Sequence, residues 1–147
     1  MALLRLSTRD ELIVFDQLDH QVHAARFVAK TGLKTHQKYY DDPTISYLSI
    51  ENPLGEFSGY FILVREPRSS SVEFRRILID HNKLGIGQSA IVEMEKYCKE
   101  HFSAKRIWLD VYADNVIGKH IYTKQGYRKF KEKAEGERTL QFYEKAL

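Results

Sequence analysis

The chain has 147 residues, of which 43% are hydrophobic and 29% charged, with a net charge of +3 at pH 7. This is the length of one domain with enough apolar material for a proper core, and it excludes a disordered chain. No apolar run approaches the roughly 20 residues that cross a bilayer, and the start, Met1-Ala2-Leu3-Leu4-Arg5, lacks a signal peptide's basic-then-apolar order. A single domain over residues 1–147, cytoplasmic and without a membrane partner, is the expectation.

Along the chain, Leu3-Leu4-Arg5-Leu6 reads as a short strand, and Ser7 or Thr8 caps a helix whose first turn carries Asp10 and Glu11. Leu12, Phe15, Val22, Phe27 and Val28 supply helical material to a stop at Gly32, with a break near Asp19. Residues 35–43, ending Tyr39-Tyr40-Asp41-Asp42-Pro43, read as a loop. Strands follow at 45–51, 59–64 and 72–79, joined by turns at Asn52-Pro53-Leu54-Gly55 and near Pro67. A helix over 88–102 buries Ile91, Met94, Cys98 and Phe102, so the single cysteine is core material and excludes an intrachain disulfide. The strand at 106–112, a short helix capped by Asn115 and ended by Gly126, and strands at 127–133 and 139–145 complete the chain.

Among six histidines, His20 and His23 lie three apart without a third ligand at a recognised spacing, so no metal site is expected. Lys129, Lys131 and Lys133 alternate along a strand and read as a solvated face, so no nucleic-acid partner is expected.

The segment Leu84-Gly85-Ile86-Gly87-Gln88-Ser89 joins a strand to a helix N-terminus through two glycines. Free backbone N–H groups and the helix dipole converge there, which suits a pyrophosphate. It is not a nucleotide-hydrolase P-loop, since no Gly-Lys-Ser/Thr follows. Nor is it a dinucleotide fingerprint, which needs a third glycine and wound βα units.

Downstream, Asn115, Gly118, Ile121, Tyr122, Gly126 and Tyr127 stand in the pattern Asn-x-x-small-x-x-aliphatic-Tyr-x-x-x-Gly-aromatic. This resembles the closing signature of the GNAT superfamily of acyl-CoA-dependent N-acetyltransferases, and residues 84–89 resemble its pyrophosphate loop. The resemblance covers roughly residues 73–130. It departs from the family at Asn82, where Gln or Arg is usual.

The resemblance implies an α/β (α+β) fold: a mixed, mostly antiparallel central sheet, splayed between its middle strands and flanked by helices in the order β-α-α-β-β-β-α-β-α-β-β. It implies transfer of an acetyl group from acetyl-CoA to a primary amine, of a small molecule or a protein, by direct attack in a ternary complex. The alternative is a non-catalytic acyl-CoA-binding or regulatory protein on the same fold. Glu73 matches the family's base, and Tyr122 the acid beside sulfur. The backbone at Ile77, Leu78 and Ile79 would pair with pantetheine and polarise the thioester. Asn82, Lys83 and Leu84 to Ser89 would hold the pyrophosphate, with Asn115, Gly118, Lys119 and Tyr122 also on the cofactor side. A homodimer is compatible with it.

Strand alternation places Glu73 on one face with Arg75, Ile77 and Ile79, opposite Val72, Phe74 and Leu78. Tyr39, Tyr40, Asp41, Asp42, Tyr127, Phe142 and Tyr143 offer acidic and aromatic groups suited to a cationic amine. Asp41-Asp42-Pro43 also reads as an ordinary turn.

Overall fold

The computed structural model describes residues 2–21, 31–80 and 85–147. Its elements are β1 (Leu3–Leu6), α1 (Leu12–Asp19), α2 (Leu33–Asp41), β2 (Ile45–Glu51), β3 (Phe57–Glu66), β4 (Ser71–Ile79), α3 (Gly87–Phe102), β5 (Arg106–Tyr112), α4 (Val116–Lys124), β6 (Arg128–Glu135) and β7 (Arg138–Ala146). Short 3-10 turns at Arg9–Glu11 and Pro67–Ser69 lead into α1 and β4. One seven-stranded sheet runs β1-β2-β3-β4-β5-β7-β6 and is antiparallel except between β4 and β5. The mixed, mostly antiparallel sheet and the order of its strands are those expected from the sequence.

Apolar alternation explains why both faces are covered. On β3, Phe61 and Leu63 enter a core with Val72, Phe74, Ile107 and Leu109 beneath Ile91, Met94 and Cys98 of α3. Tyr60 and Ile62 enter a second core with Leu12, Phe15 and Leu18 of α1. There Phe15 stacks on Tyr60 at 4.2 Å. A strand buried on both sides reads as a continuous apolar run, as 59–64 does.

Residues 33–41 form helix α2, where the sequence suggested a loop over 35–43. Tertiary burial overrides the polar composition. His36 is fully buried, and the Tyr40 hydroxyl donates to the Ser7 carbonyl at 2.9 Å. The helical reading beyond Gln21, including Val22, Phe27 and Val28, and His23 of the histidine pair lie outside the described residues.

Two irregularities shape the centre of the sheet. Ile62 faces Arg76 while Leu63 faces Phe74, so Arg75 is an extra residue in β4. Such a bulge reverses the alternation beyond it. Ile77 and Ile79 consequently join Val72 and Phe74 against the α3 core, whereas Leu78 joins the α1 core. Glu73, opposite Val64, lies on the face away from Ile77 and Ile79, which corrects the uniform alternation read from the sequence.

The second irregularity is the β4–β5 junction. The parallel register covers only Ser71, Val72 and Glu73 against Arg106, Ile107 and Trp108. Beyond these pairs the strands part, as the splayed sheet requires. A further bulge between Lys129 and Lys131 sets Lys129 opposite Tyr143 and Lys131 opposite Phe142. Those lysines therefore occupy opposite faces, and the expected lysine stripe does not form.

Candidate active site

On the α3 side of the parted strands lies a cavity of about 230 Å³, lined by Ile77 and Ile79 of β4, by Gly85, Gly87, Gln88 and Ile91, and by Gly118, Ile121 and Tyr122 of α4. Gly85 sits at φ +105°, a conformation that L side chains rarely adopt, and a Cβ on Gly85 or Gly87 would meet nothing within 4 Å. Helix α3 starts at Gly87 with no side-chain cap, leaving the first-turn N–H groups to an incoming acceptor. The Ser89 hydroxyl is occupied, accepting from the Ala2 N–H at 2.7 Å. The Gln88 carbonyl accepts from Gln125 Nε2 at 2.8 Å, which ties the end of α4 to the start of α3.

Between β4 and β5 lies a second, more polar cleft of about 370 Å³. Its walls are Phe74, Arg75, Arg76 and Ile77 on one side and Leu109, Asp110, Val111 and Tyr112 on the other, closed by Asn115, Tyr122, Glu135 and Leu140. Ile77 and Tyr122 line both spaces. The Tyr122 ring is fixed edge-on against Phe74 at 5.8 Å and Tyr127 at 6.1 Å. Among the described residues its hydroxyl has no hydrogen-bond partner. Burial, reinforced by the Asp110 carboxylate, pushes the phenol up to about 12.

The carboxylates of the cleft differ in their partners. Glu73 is outside the lining and is gripped by Arg75, whose Nε donates to Oε2 at 3.0 Å and Nη2 to Oε1 at 2.9 Å. Asp110 opens directly onto the cleft and makes no ion pair among the described residues. Burial first, then Glu73 and Glu135, raise its pKa against the opposing pull of Arg75. Nothing in the sequence singled out Asp110, because parting of the strands, not any motif, makes it face the cleft.

Behind the β4 wall lies a buried polar network that also escaped the sequence reading. His36 Nε2 meets Asp19 Oδ2 at 2.8 Å and its Nδ1 meets the Tyr47 hydroxyl at 2.7 Å. The Tyr60 hydroxyl donates to Asp19 Oδ1 at 2.6 Å. Arg76 reaches Asp19 Oδ2 at 3.3 Å and Thr31 at 2.8 Å. Asp16 lies near enough to Asp19 and His36 for their ligand atoms to fall within 4.8 Å, but Arg76 already supplies the cation there.

Asn115 caps α4 by accepting the Gly118 N–H at 2.9 Å. A Cβ on Gly118 would stand 2.7 Å from Asn115 Nδ2 and 2.9 Å from Oδ1. The glycine thus makes room for the cap. Gly118→Ala is expected to change stability by less than about 1 kcal/mol, since better helix propensity offsets the disturbed cap. Acetyl-CoA binding should weaken by about 2- to 10-fold as Asn115 rotates away. Calorimetric titration with unchanged affinity would refute this account.

The fold thus brings together Ile77, Ile79, Gly85, Gly87, Gln88, Gly118 and Tyr122, with Asn115 on the adjoining cleft. Leu78 points its side chain into the opposite core, Ile86 packs on the main core, and Ser89 and Lys119 lie outside the lining. His81, Asn82, Lys83 and Leu84 are outside the described residues. Of the suggested acceptor contacts, Tyr127 and Tyr143 are buried, Tyr127 donating to Glu95 at 2.8 Å. Asp41, the last residue of α2, pairs with Arg9, and Asp42 binds Thr44 in the turn that follows. Tyr39 lies beneath Arg75, 5.3 Å from its guanidinium carbon.

The sequence profile of the acetyltransferase (GNAT) family matches residues 17–127, well over half of the chain. The chain belongs to this family. By that membership it is an N-acetyltransferase. The spermidine N-acetyltransferase of Vibrio cholerae in complex with CoA and spermine has a similar fold, with a TM-score of 0.86 over 99% of this chain and 95% of that one at 16% identity. A dodecameric structure of spermidine N-acetyltransferase from that organism, in an intermediate state, gives 0.81 over 99% and 93%, also at 16% identity. A comparison with curated proteins finds no match.

Proposed function

We propose that acetyl-CoA enters from the α3 side and a small cationic amine from the opposite face, meeting at Tyr122. The observation that carries this reading is that the two cavities share Ile77 and Tyr122 across the gap in the sheet. The pyrophosphate rests on the Gly85 to Gln88 backbone, and pantetheine runs along Ile77 and Ile79 as an added strand. Asn115 holds the pantetheine arm. Backbone N–H groups near Ile77 polarise the thioester carbonyl.

The neutral amine attacks the acetyl carbon, and the C–S bond breaks as Tyr122 gives sulfur a proton. A carboxylate on the cleft side, Glu73 or Asp110, removes the proton of the incoming ammonium. This chemistry uses no metal. The spermidine N-acetyltransferases that share the fold support a cationic acceptor, and the dodecamer among them supports a homo-oligomer. No described helix is long and apolar enough to cross a membrane. A cytoplasmic location belongs to the same reading and suits a free, buried Cys98.

Acetyl-CoA at about 100 times its Kd should stabilise the fold by about 2.7 kcal/mol, raising Tm by about 5–10 °C. It should release free CoA when amines are added. A shift without CoA release from any amine would reduce the protein to an acyl-CoA binder, and no shift would remove the co-substrate assignment.

A further inference from the structure

Resting on the transferase reading above, we infer that the acceptor carries two positive charges, with Asp110 taking the proton of the reacting amine and Glu135 holding the second cation. Both arginines that line the cleft are committed to another acid, Arg75 to Glu73 at 2.9 Å and Arg76 to Asp19 at 3.3 Å, and no lysine is among the described lining residues. Asp110 and Glu135 both line the cleft, and neither makes an ion pair among the described residues. The Tyr112 hydroxyl, 3.5 Å from Glu135 Oε1, is a neutral neighbour and offsets no charge.

Two carboxylates that share a cleft without an ion-pair partner repel each other and raise each other's cost of ionisation. Asp110 feels this repulsion from Glu135 and from Glu73, and a ligand with two cationic groups relieves it. An acceptor bearing a carboxylate would add to it. The two acids occupy different positions. Asp110 lies in the middle of β5 opposite Phe142, on the same cleft as Tyr122, whereas Glu135 ends β6 at the cleft's outer rim. The inner acid therefore meets the reacting nitrogen and the outer acid the distal one.

Glu73 is less suited to the first role. Both of its oxygens already accept from Arg75, so an arriving ammonium would have to displace a bidentate guanidinium. In the step itself, Asp110 accepts one proton from the ammonium, and the freed nitrogen forms the C–N bond as C–S breaks. Of the two protons the nitrogen loses overall, one ends on the CoA sulfur and the other passes to solvent.

The test compares 1,4-diaminobutane with n-butylamine, using the full chain and acetyl-CoA. Wild-type kcat/KM should favour the diamine by about 10-fold or more. Glu135→Gln should erase that preference by slowing the diamine alone. Asp110→Asn should lower kcat about 10²-fold or more with either amine. It should also abolish the rising limb of the kcat–pH profile, which a raised Asp110 pKa places above the ordinary carboxylate range. The groups facing Asp110 there are Glu73 and Arg75 from β4, Glu135 from β6 and Tyr122 from α4. Trifluoroethylamine, already neutral at pH 7, should recover most of the Asp110→Asn loss.

Equal use of the two amines, or a Glu135→Gln effect shared by both, would overturn the dication assignment. A defect in Asp110→Asn confined to KM, or a greater kcat loss in Glu73→Gln, would overturn the role of Asp110. If wild type binds acetyl-CoA and no amine releases CoA, the transferase reading falls and takes this inference with it.

Discussion

Tyr122→Phe is expected to lower kcat by about 10²- to 10³-fold while leaving acetyl-CoA affinity and folding stability close to wild type. The ring is held by Phe74 and Tyr127, contacts that phenylalanine keeps. Only the hydroxyl changes, and it has no partner among the described residues whose loss would be felt by the fold. The surroundings that push the phenol up to about 12 also raise a thiolate's affinity for a proton, so transfer to sulfur remains accessible. The sign with pH follows: the acid is present at all lower pH and is lost only as pH rises through about 12. Steady-state profiles of wild type should show no falling limb from this group near neutrality, and the variant should have a depressed plateau with unmoved limbs. A variant with wild-type kcat would remove Tyr122 from the chemistry.

Asp19→Ala should cost about 3–5 kcal/mol, a large share of the roughly 5–15 kcal/mol that holds a domain folded. The fully buried carboxylate accepts from Tyr60 and Arg76 and meets His36, so its removal takes one shared anionic partner from a guanidinium, an imidazole and a phenol at once. Asp19→Asn keeps acceptor oxygen but loses the charge that balances Arg76, and should be milder. With urea slopes of about 1–3 kcal/mol per molar, the alanine variant's midpoint should fall by more than about 1 M. A fall of a few tenths would mean that Arg76 finds another partner. Because Arg76 also lines the cleft, the damage should reach acceptor binding as well.

The elements that read well in the sequence are those whose local chemistry and burial agree. The Asn115 cap, the turn into β3 and the Gly85-Ile86-Gly87 bend each follow from short-range rules, and each is found. Helix α2 is hard to read because its buried stripe, Leu33, His36 and Tyr40, is short and carries polar groups that only distant partners such as Asp19, Tyr47 and Ser7 satisfy. The face of Glu73 was misjudged because one inserted residue, Arg75, reverses every side chain beyond it, and no composition signal marks a bulge without glycine. Gly118 lines the α3-side cavity and also leaves room for the Asn115 side chain, a second demand on the glycine that spacing alone does not reveal. Asp110 and the Asp19–His36 pair are properties of tertiary juxtaposition, invisible to spacing along the chain.

The three residue pairs that join β4 to β5 have a mechanical meaning. They act as the pivot of a pair of tongs. One arm is β4 with the strands and helices before it, the other β5 to β7 with α4. Both cavities have walls on both arms, so the angle at this one pivot sets the width of both. Any displacement of one arm against the other would therefore change the donor and acceptor spaces together.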